Sequence, residues 1–174
     1  MQQANQKIYE KYPLWIVLIV NILMLLVYVA GAYIMFQLSL GPGILYLVYI
    51  AILEFYNFRE GCIHCCYFGQ RCAFGKGLVA RIFFKRGDPD KFREREIKFK
   101  DLIPQLLVVL IPLGIGIALL ISRGFNILIL LALLYPLASW FLLNPIIYGK
   151  LACPHCRQGS ICCPALKFFT KGKK

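Results

Sequence analysis

Three long stretches of this chain carry no charged residue, and a fourth carries only one. Residues 13–36 and 125–148 are uncharged over 24 residues each, and residues 102–122 over 21. At about 1.5 Å per residue, each of these helices would cross the roughly 30 Å hydrocarbon core of a bilayer. The fourth, residues 44–58, contains Glu54 and reaches that length only by starting near Leu38 or Leu40 and ending at Arg59. With 60% hydrophobic residues, the chain is predicted to be an all-helical polytopic membrane protein with four transmembrane helices.

The basic residues predict the orientation of these helices. Of the 20 lysines and arginines, 11 lie between Arg59 and Lys100, six lie from Lys150 to Lys174, and two precede the first apolar stretch. Only Arg123 falls between the third and fourth stretches. Because loops rich in lysine and arginine stay in the cytoplasm, we expect a multi-pass protein of the cell membrane with both termini cytoplasmic.

All eight cysteines fall into two groups that repeat one pattern, Cys-x-His-Cys-x6-Cys, each after an apolar stretch. Each group has a further thiol, Cys66 in the first and Cys162 in the second. Four soft donors within about a dozen residues are what a tetrahedral metal ion or an iron–sulfur cluster requires, and disulfides are disfavoured in the cytoplasm. The predicted metal ligands are Cys62, Cys65, Cys66, Cys72, Cys153, Cys156, Cys162 and Cys163.

The fourth ligand of each site is left open by the sequence. Adjacent cysteines are expected to point in different directions, so the three thiols of the shared spacing are the firmer ligands in each group. The fourth is Cys66 in the first group and Cys162 in the second, or the histidine inside each pattern, His64 or His155. Alternatively, a cysteine from the other group completes the site, and a shared metal then joins the two halves.

The recurrence of two apolar stretches followed by a cysteine group predicts an internal 2+2 repeat. The predicted first half comprises residues 1–77 and the second half residues 102–174, with a basic insert at residues 78–101 between them. Both copies would share one orientation, as in parallel repeats related by an axis along the membrane normal. Two metal-binding knuckles of independent origin are the alternative.

The insert has the pattern of a helix lying on the membrane surface. Leu78, Val79, Ile82 and Phe83 recur at helical spacing among basic residues, which predicts an amphipathic segment in contact with anionic lipids of the inner leaflet. Docking of a membrane protein partner is an alternative. Nucleic-acid binding is disfavoured, because the cytoplasmic bias of basic residues accounts for most of the +12 net charge.

Three functions are compatible with these patterns. The first is a membrane metal-binding module, accessory or scaffold, in which zinc fastens the inner ends of the second and fourth helices in two cytoplasmic knuckles. The second is an electron-transfer protein that holds iron–sulfur clusters in the same thiolates. The third is a membrane enzyme that modifies thiol or lipid substrates, with Cys66 or Cys162 as its nucleophile.

Overall fold

A computed structural model describes residues 8–94 and 99–162, which are helical and contain no strand apart from one bridge between Tyr9 and Cys156. Two 3₁₀ turns, Cys62–His64 and Cys153–His155, lie in the cysteine groups. The α-helices are α1 (Leu14–Leu38), α2 (Leu40–Glu60), α3 (Lys76–Phe83), α4 (Pro89–Glu94), α5 (Phe99–Arg123), α6 (Ile127–Ala138), α7 (Asn144–Ile147) and α8 (Arg157–Cys162).

Four helical segments of the described chain are long and apolar enough to cross a membrane. They span Leu14–Leu38, Leu40–His64, Lys100–Arg123 and Ile127–His155. The predicted start of the second helix near Leu40 is therefore confirmed. Large apolar side chains point outward along these segments, as with Leu45 and Ile121, which are 70% and 81% exposed. Outward apolar surface of this extent suits contact with lipid. The four segments are therefore compatible with a multi-pass membrane protein.

The fourth segment is irregular. Two π-helical stretches, Ser139–Leu143 and Tyr148–Ala152, interrupt it. Each begins three residues after a proline, Pro136 or Pro145. Proline lacks a backbone N–H and cannot complete the α-helical hydrogen-bond ladder, and local adjustments of this kind are how helices accommodate it.

Contacts divide the chain into two compact units. We call the first the cysteine unit; it comprises Met1–Asn21, Tyr56–Ile97 and Asn144–Lys174. The second, the helix unit, comprises Ile22–Phe55 and Lys98–Leu143. The cysteine unit contains every cysteine of the chain. Because these units reflect packing rather than ancestry, the predicted division at residues 77 and 101 stays a prediction.

Tyrosine hydroxyls bond to acceptors inside the helix unit. Tyr46 donates to the carbonyl oxygen of Val108 at 2.8 Å, and Tyr49 donates to that of Pro104 at 2.8 Å. Glu54, the acidic residue within an apolar stretch, accepts a hydrogen bond from Tyr28. Polar groups at membrane depth are stabilised by such bonds between helices.

Substituting Gly31 by alanine should destabilise the helix unit. The added methyl group would collide with the hydroxyl of Tyr46 and lie 2.7 Å from its Cζ, and Tyr46, 3% exposed, cannot move aside without losing its bond to Val108. We expect a loss of about 1–3 kcal/mol, measured by thermal unfolding in detergent. Gly114→Ala in α5 is the control, because its methyl group meets no atom within 4 Å. Equal losses in the two variants would contradict the packing of Tyr46 on Gly31.

Candidate metal centre at the cysteine groups

The two Cys-x-His-Cys segments adopt the same local conformation. In each, a 3₁₀ turn is closed by a hydrogen bond from the second cysteine to the first, Cys65 N–H to Cys62 O at 3.3 Å and Cys156 N–H to Cys153 O at 3.2 Å. The second cysteine is extended in both copies, with φ and ψ of −78° and 148° at Cys65 and −82° and 118° at Cys156. The closing hydrogen bond therefore holds the backbones of the two cysteines of each segment close together.

Cys72 lies in a loop whose backbone amides face its sulfur. The loop turns at Gly75, which has a φ of +69° and donates its N–H to the Cys72 carbonyl at 2.9 Å. The N–H groups of Phe74, Lys76 and Gly77 favour the thiolate form of Cys72, while burial has the larger effect and raises the pKa of the thiol. Lys76 and Gly77 begin α3, where N–H groups lack partners within the helix. This loop therefore supplies donors that a thiolate ligand can use.

Cys65 and Cys66 lie close together, so the expectation that adjacent cysteines point apart is wrong for this pair. A hydrogen bond between their side chains raises the pKa of Cys65, with burial adding to the effect, and lowers the pKa of Cys66. The Cys65 thiol thus keeps its proton while Cys66 is the more readily ionised sulfur. Cys66 is therefore placed beside the thiols of the shared spacing.

The two cysteine groups meet at Gln158, which follows Cys156 by two residues. Its side chain is buried, and its Oε1 accepts the N–H of Cys66 at 2.8 Å and lies 3.7 Å from the Cys65 sulfur. A negative charge on Cys156 raises the pKa of Cys66. Thiols of the first group thus lie within electrostatic range of a thiol from the second.

Buried tyrosines join the segment before α1 to both groups. Tyr12 is 1% exposed; its hydroxyl donates to the Ala152 carbonyl at 2.5 Å, and its N–H donates to the Arg71 carbonyl at 3.0 Å. Tyr67 is 2% exposed; its hydroxyl accepts the N–H of Arg157 at 3.0 Å and donates to the Tyr9 carbonyl. Burial raises the pKa of Tyr67 to about 12, so it stays a neutral hydrogen-bonding group.

These tyrosines are the part of the centre that sequence reasoning missed. Tyr9 and Tyr12 lie just before the first apolar stretch, and no spacing relates them to the cysteines. Gln158 gives no signal either, since an isolated glutamine is most often exposed. Only the long-range contacts reveal their positions.

Both histidines make contacts of their own. The Nδ1 of His64 lies 2.8 Å from the Asp88 carbonyl oxygen, and Gly87 packs against the imidazole ring. The ring of His155 lies against that of Tyr9, with 4.8 Å between ring centroids. With Nδ1 of His64 bonded to a carbonyl, Nε2 is the nitrogen left for any metal. A ligand role for either histidine stays a prediction.

The remaining predicted ligands lie near the end of the described chain. Cys162 is the last residue of α8, and Cys163 lies outside the described residues. None of Cys62, Cys65, Cys66, Cys72, Cys153 and Cys156 is in a disulfide. Over residues 8–94 and 99–162, no three side chains of cysteine, histidine, aspartate or glutamate are already arranged to hold a metal ion. Metal ligation by the eight cysteines therefore stays a prediction.

Comparison with known proteins adds no further assignment. No protein-family model matches this sequence, and no curated protein or solved structure is significantly similar to it. The function must therefore be argued from the residues themselves.

Proposed function

We propose that this chain is an integral membrane metal-binding protein in which thiolates of both cysteine groups share one metal centre at the cytoplasmic ends of the helices. The observation that carries the proposal is the meeting of the two groups at Gln158, which accepts the Cys66 N–H and neighbours the Cys65 sulfur. Of the alternatives for the fourth ligand, this favours a cysteine from the other group.

The charges of the thiolates support a role for a cation. A negative charge on Cys66 raises the pKa of Cys65, and a negative charge on Cys156 raises the pKa of Cys66. Such repulsion grows when several sulfurs ionise together, and a bound divalent metal ion removes it. Because the sulfurs do not yet surround one point, binding would require side-chain rotations, as in sites where metal binding is coupled to local ordering.

The matching turns support the proposed 2+2 duplication. The segments Cys62–His64 and Cys153–His155 are both 3₁₀ turns closed by the same hydrogen bond. The cysteine that follows each turn, Cys65 or Cys156, is extended. Two halves that each supply one such turn would bring two equivalent knuckles to one face of the membrane. Their metal would then fasten the ends of the second and fourth membrane segments.

Zinc is the metal we favour, with a structural role in an accessory or scaffold protein. Zinc binds thiolates tetrahedrally and has no redox chemistry, which suits a centre that holds helix ends together. Iron–sulfur clusters use the same donors, and in that form the protein would transfer electrons beside the bilayer. A membrane enzyme with Cys66 as nucleophile would instead need that sulfur to remain free of metal.

Elemental analysis of the full chain, purified anaerobically in detergent, tests the proposal. We expect a colourless protein that contains zinc, with its cysteines protected from alkylation until a chelator is added. A brown protein that contains iron and labile sulfide would support the metal centre but assign it to electron transfer. Protein free of transition metals, with Cys66 freely alkylated, would overturn the proposal and favour the thiol enzyme.

A further inference from the structure

The helix α3 presents an apolar face away from its own unit. Gly77 and Ala80 lie on its buried side, with Ala80 fully buried. The opposite side carries exposed apolar side chains; these are Leu78 (43% exposed), Val79 (39%), Ile82 (76%) and Phe83 (70%). A short helix with its large apolar residues outward requires an apolar environment on that side.

Basic residues follow this apolar face along the chain. Between Glu60 and Asp88 the chain contains five lysines and arginines and no acidic residue. Lys85 and Arg86 are exposed and lie just after α3. Positive charge beside an outward apolar face is the combination found in helices that bind anionic lipid surfaces.

The N-terminal end of α3 lies against the start of a membrane helix. Asn21 in α1 donates its side-chain N–H to the Phe74 carbonyl at 3.0 Å, two residues before α3. A methyl group on Gly75 would lie 3.0 Å from the Val17 Cγ1 of α1. Both contacts are with the N-terminal part of α1, a candidate membrane segment, so α3 starts beside the beginning of that segment.

We propose that α3 docks in the headgroup layer of the bilayer, with Leu78, Val79, Ile82 and Phe83 in the acyl boundary and Lys85 and Arg86 on anionic lipid headgroups. The docking surface is independent of the metal centre, since none of these side chains is a predicted ligand. Each basic residue near such a surface changes the ratio of docked to undocked helix by about fivefold.

Tryptophan fluorescence in lipid nanodiscs tests this docking. Phe83→Trp is introduced in a background with Trp15→Phe and Trp140→Phe, and the nanodiscs contain phosphatidylcholine alone or with phosphatidylglycerol. We expect quenching by lipids brominated on the acyl chain, with the larger quenched fraction when phosphatidylglycerol is present. In the same background, Lys91→Trp in α4 is the control and should remain unquenched; circular dichroism checks that each variant is folded.

Charge removal tests the lipid preference separately. Lys85→Gln with Arg86→Gln, in the Phe83→Trp background, should lower the ratio of quenched to unquenched emission about 25-fold in phosphatidylglycerol nanodiscs. Solvent-like, unquenched emission from Trp at position 83 in both lipids would overturn the proposal. Blue-shifted emission without quenching would also overturn it, because the face would then be covered by protein, either a partner or a second copy.

Discussion

If both cysteine groups share the proposed metal centre, replacing Cys156 with serine should release the metal from both groups. Thiolate zinc sites contribute about 10–16 kcal/mol shared among their ligands, so loss of one ligand should weaken binding by more than about 100-fold. Because Cys156 acts on Cys66 and its neighbour Gln158 bonds to the Cys66 N–H, we expect Cys65, Cys66 and Cys72 to become open to alkylation. Metal content and mass spectrometry of labelled peptides measure both effects.

The same measurement distinguishes a shared centre from two separate ones. If each cysteine group held its own metal, Cys156→Ser would leave half of the metal and full protection of Cys65 and Cys66. His155→Gln is the matched control, because the ring of His155 rests on that of Tyr9. The His155→Gln variant should keep the metal. Loss of metal from this variant would instead show that His155 is a ligand.

Substituting Gly77 by alanine should disrupt the Cys72 loop although no sulfur is altered. The methyl group would collide with the Tyr67 carbonyl oxygen and lie 2.5 Å from that of Gln70. Both are backbone atoms, and the Gly77 carbonyl itself accepts the N–H of Gly69 at 2.9 Å. Overpacking that only a backbone shift can relieve should cost about 3 kcal/mol.

Thermal unfolding and alkylation of Cys72 measure the effect of Gly77→Ala. The shift would move the Gly77 N–H that faces the Cys72 sulfur, so labelling of this cysteine should rise together with the loss of stability. Gly149→Ala is the control in the same unit, since its methyl group would meet no atom within 4 Å. If the two variants were equally stable and equally labelled, the close packing at Gly77 would be refuted.

The membrane helices could be predicted from the sequence because bilayer thickness fixes their length. The second helix, predicted to start near Leu38 or Leu40 and to end at Arg59, runs Leu40–Glu60. By contrast, the π-helical stretches after Pro136 and Pro145 depend on how neighbouring backbone groups adjust, which hydropathy does not encode.

At the candidate centre, the sequence predicts features that depend on neighbouring residues but not contacts between residues far apart along the chain. The 3₁₀ turn in each Cys-x-His-Cys copy is a local property of the backbone, because its hydrogen bond joins residues only three apart along the chain. The closeness of Cys65 and Cys66 was predicted wrongly, since it depends on side-chain rotamers. Tyr67 and Gln158 reach partners far away along the chain, and a single sequence contains no signal for such pairs.

The cysteine unit is assembled from three separate segments of the chain, and this has a consequence for biosynthesis. Its three segments, Met1–Asn21, Tyr56–Ile97 and Asn144–Lys174, are separated by the stretches that form the helix unit. The ribosome therefore completes the first cysteine group long before it translates Gln158, the residue that bonds to Cys66. We expect the nascent chain to expose reduced thiols until its last helix has left the translocon. Arrested or truncated translation products would then be open to oxidation and to membrane quality control.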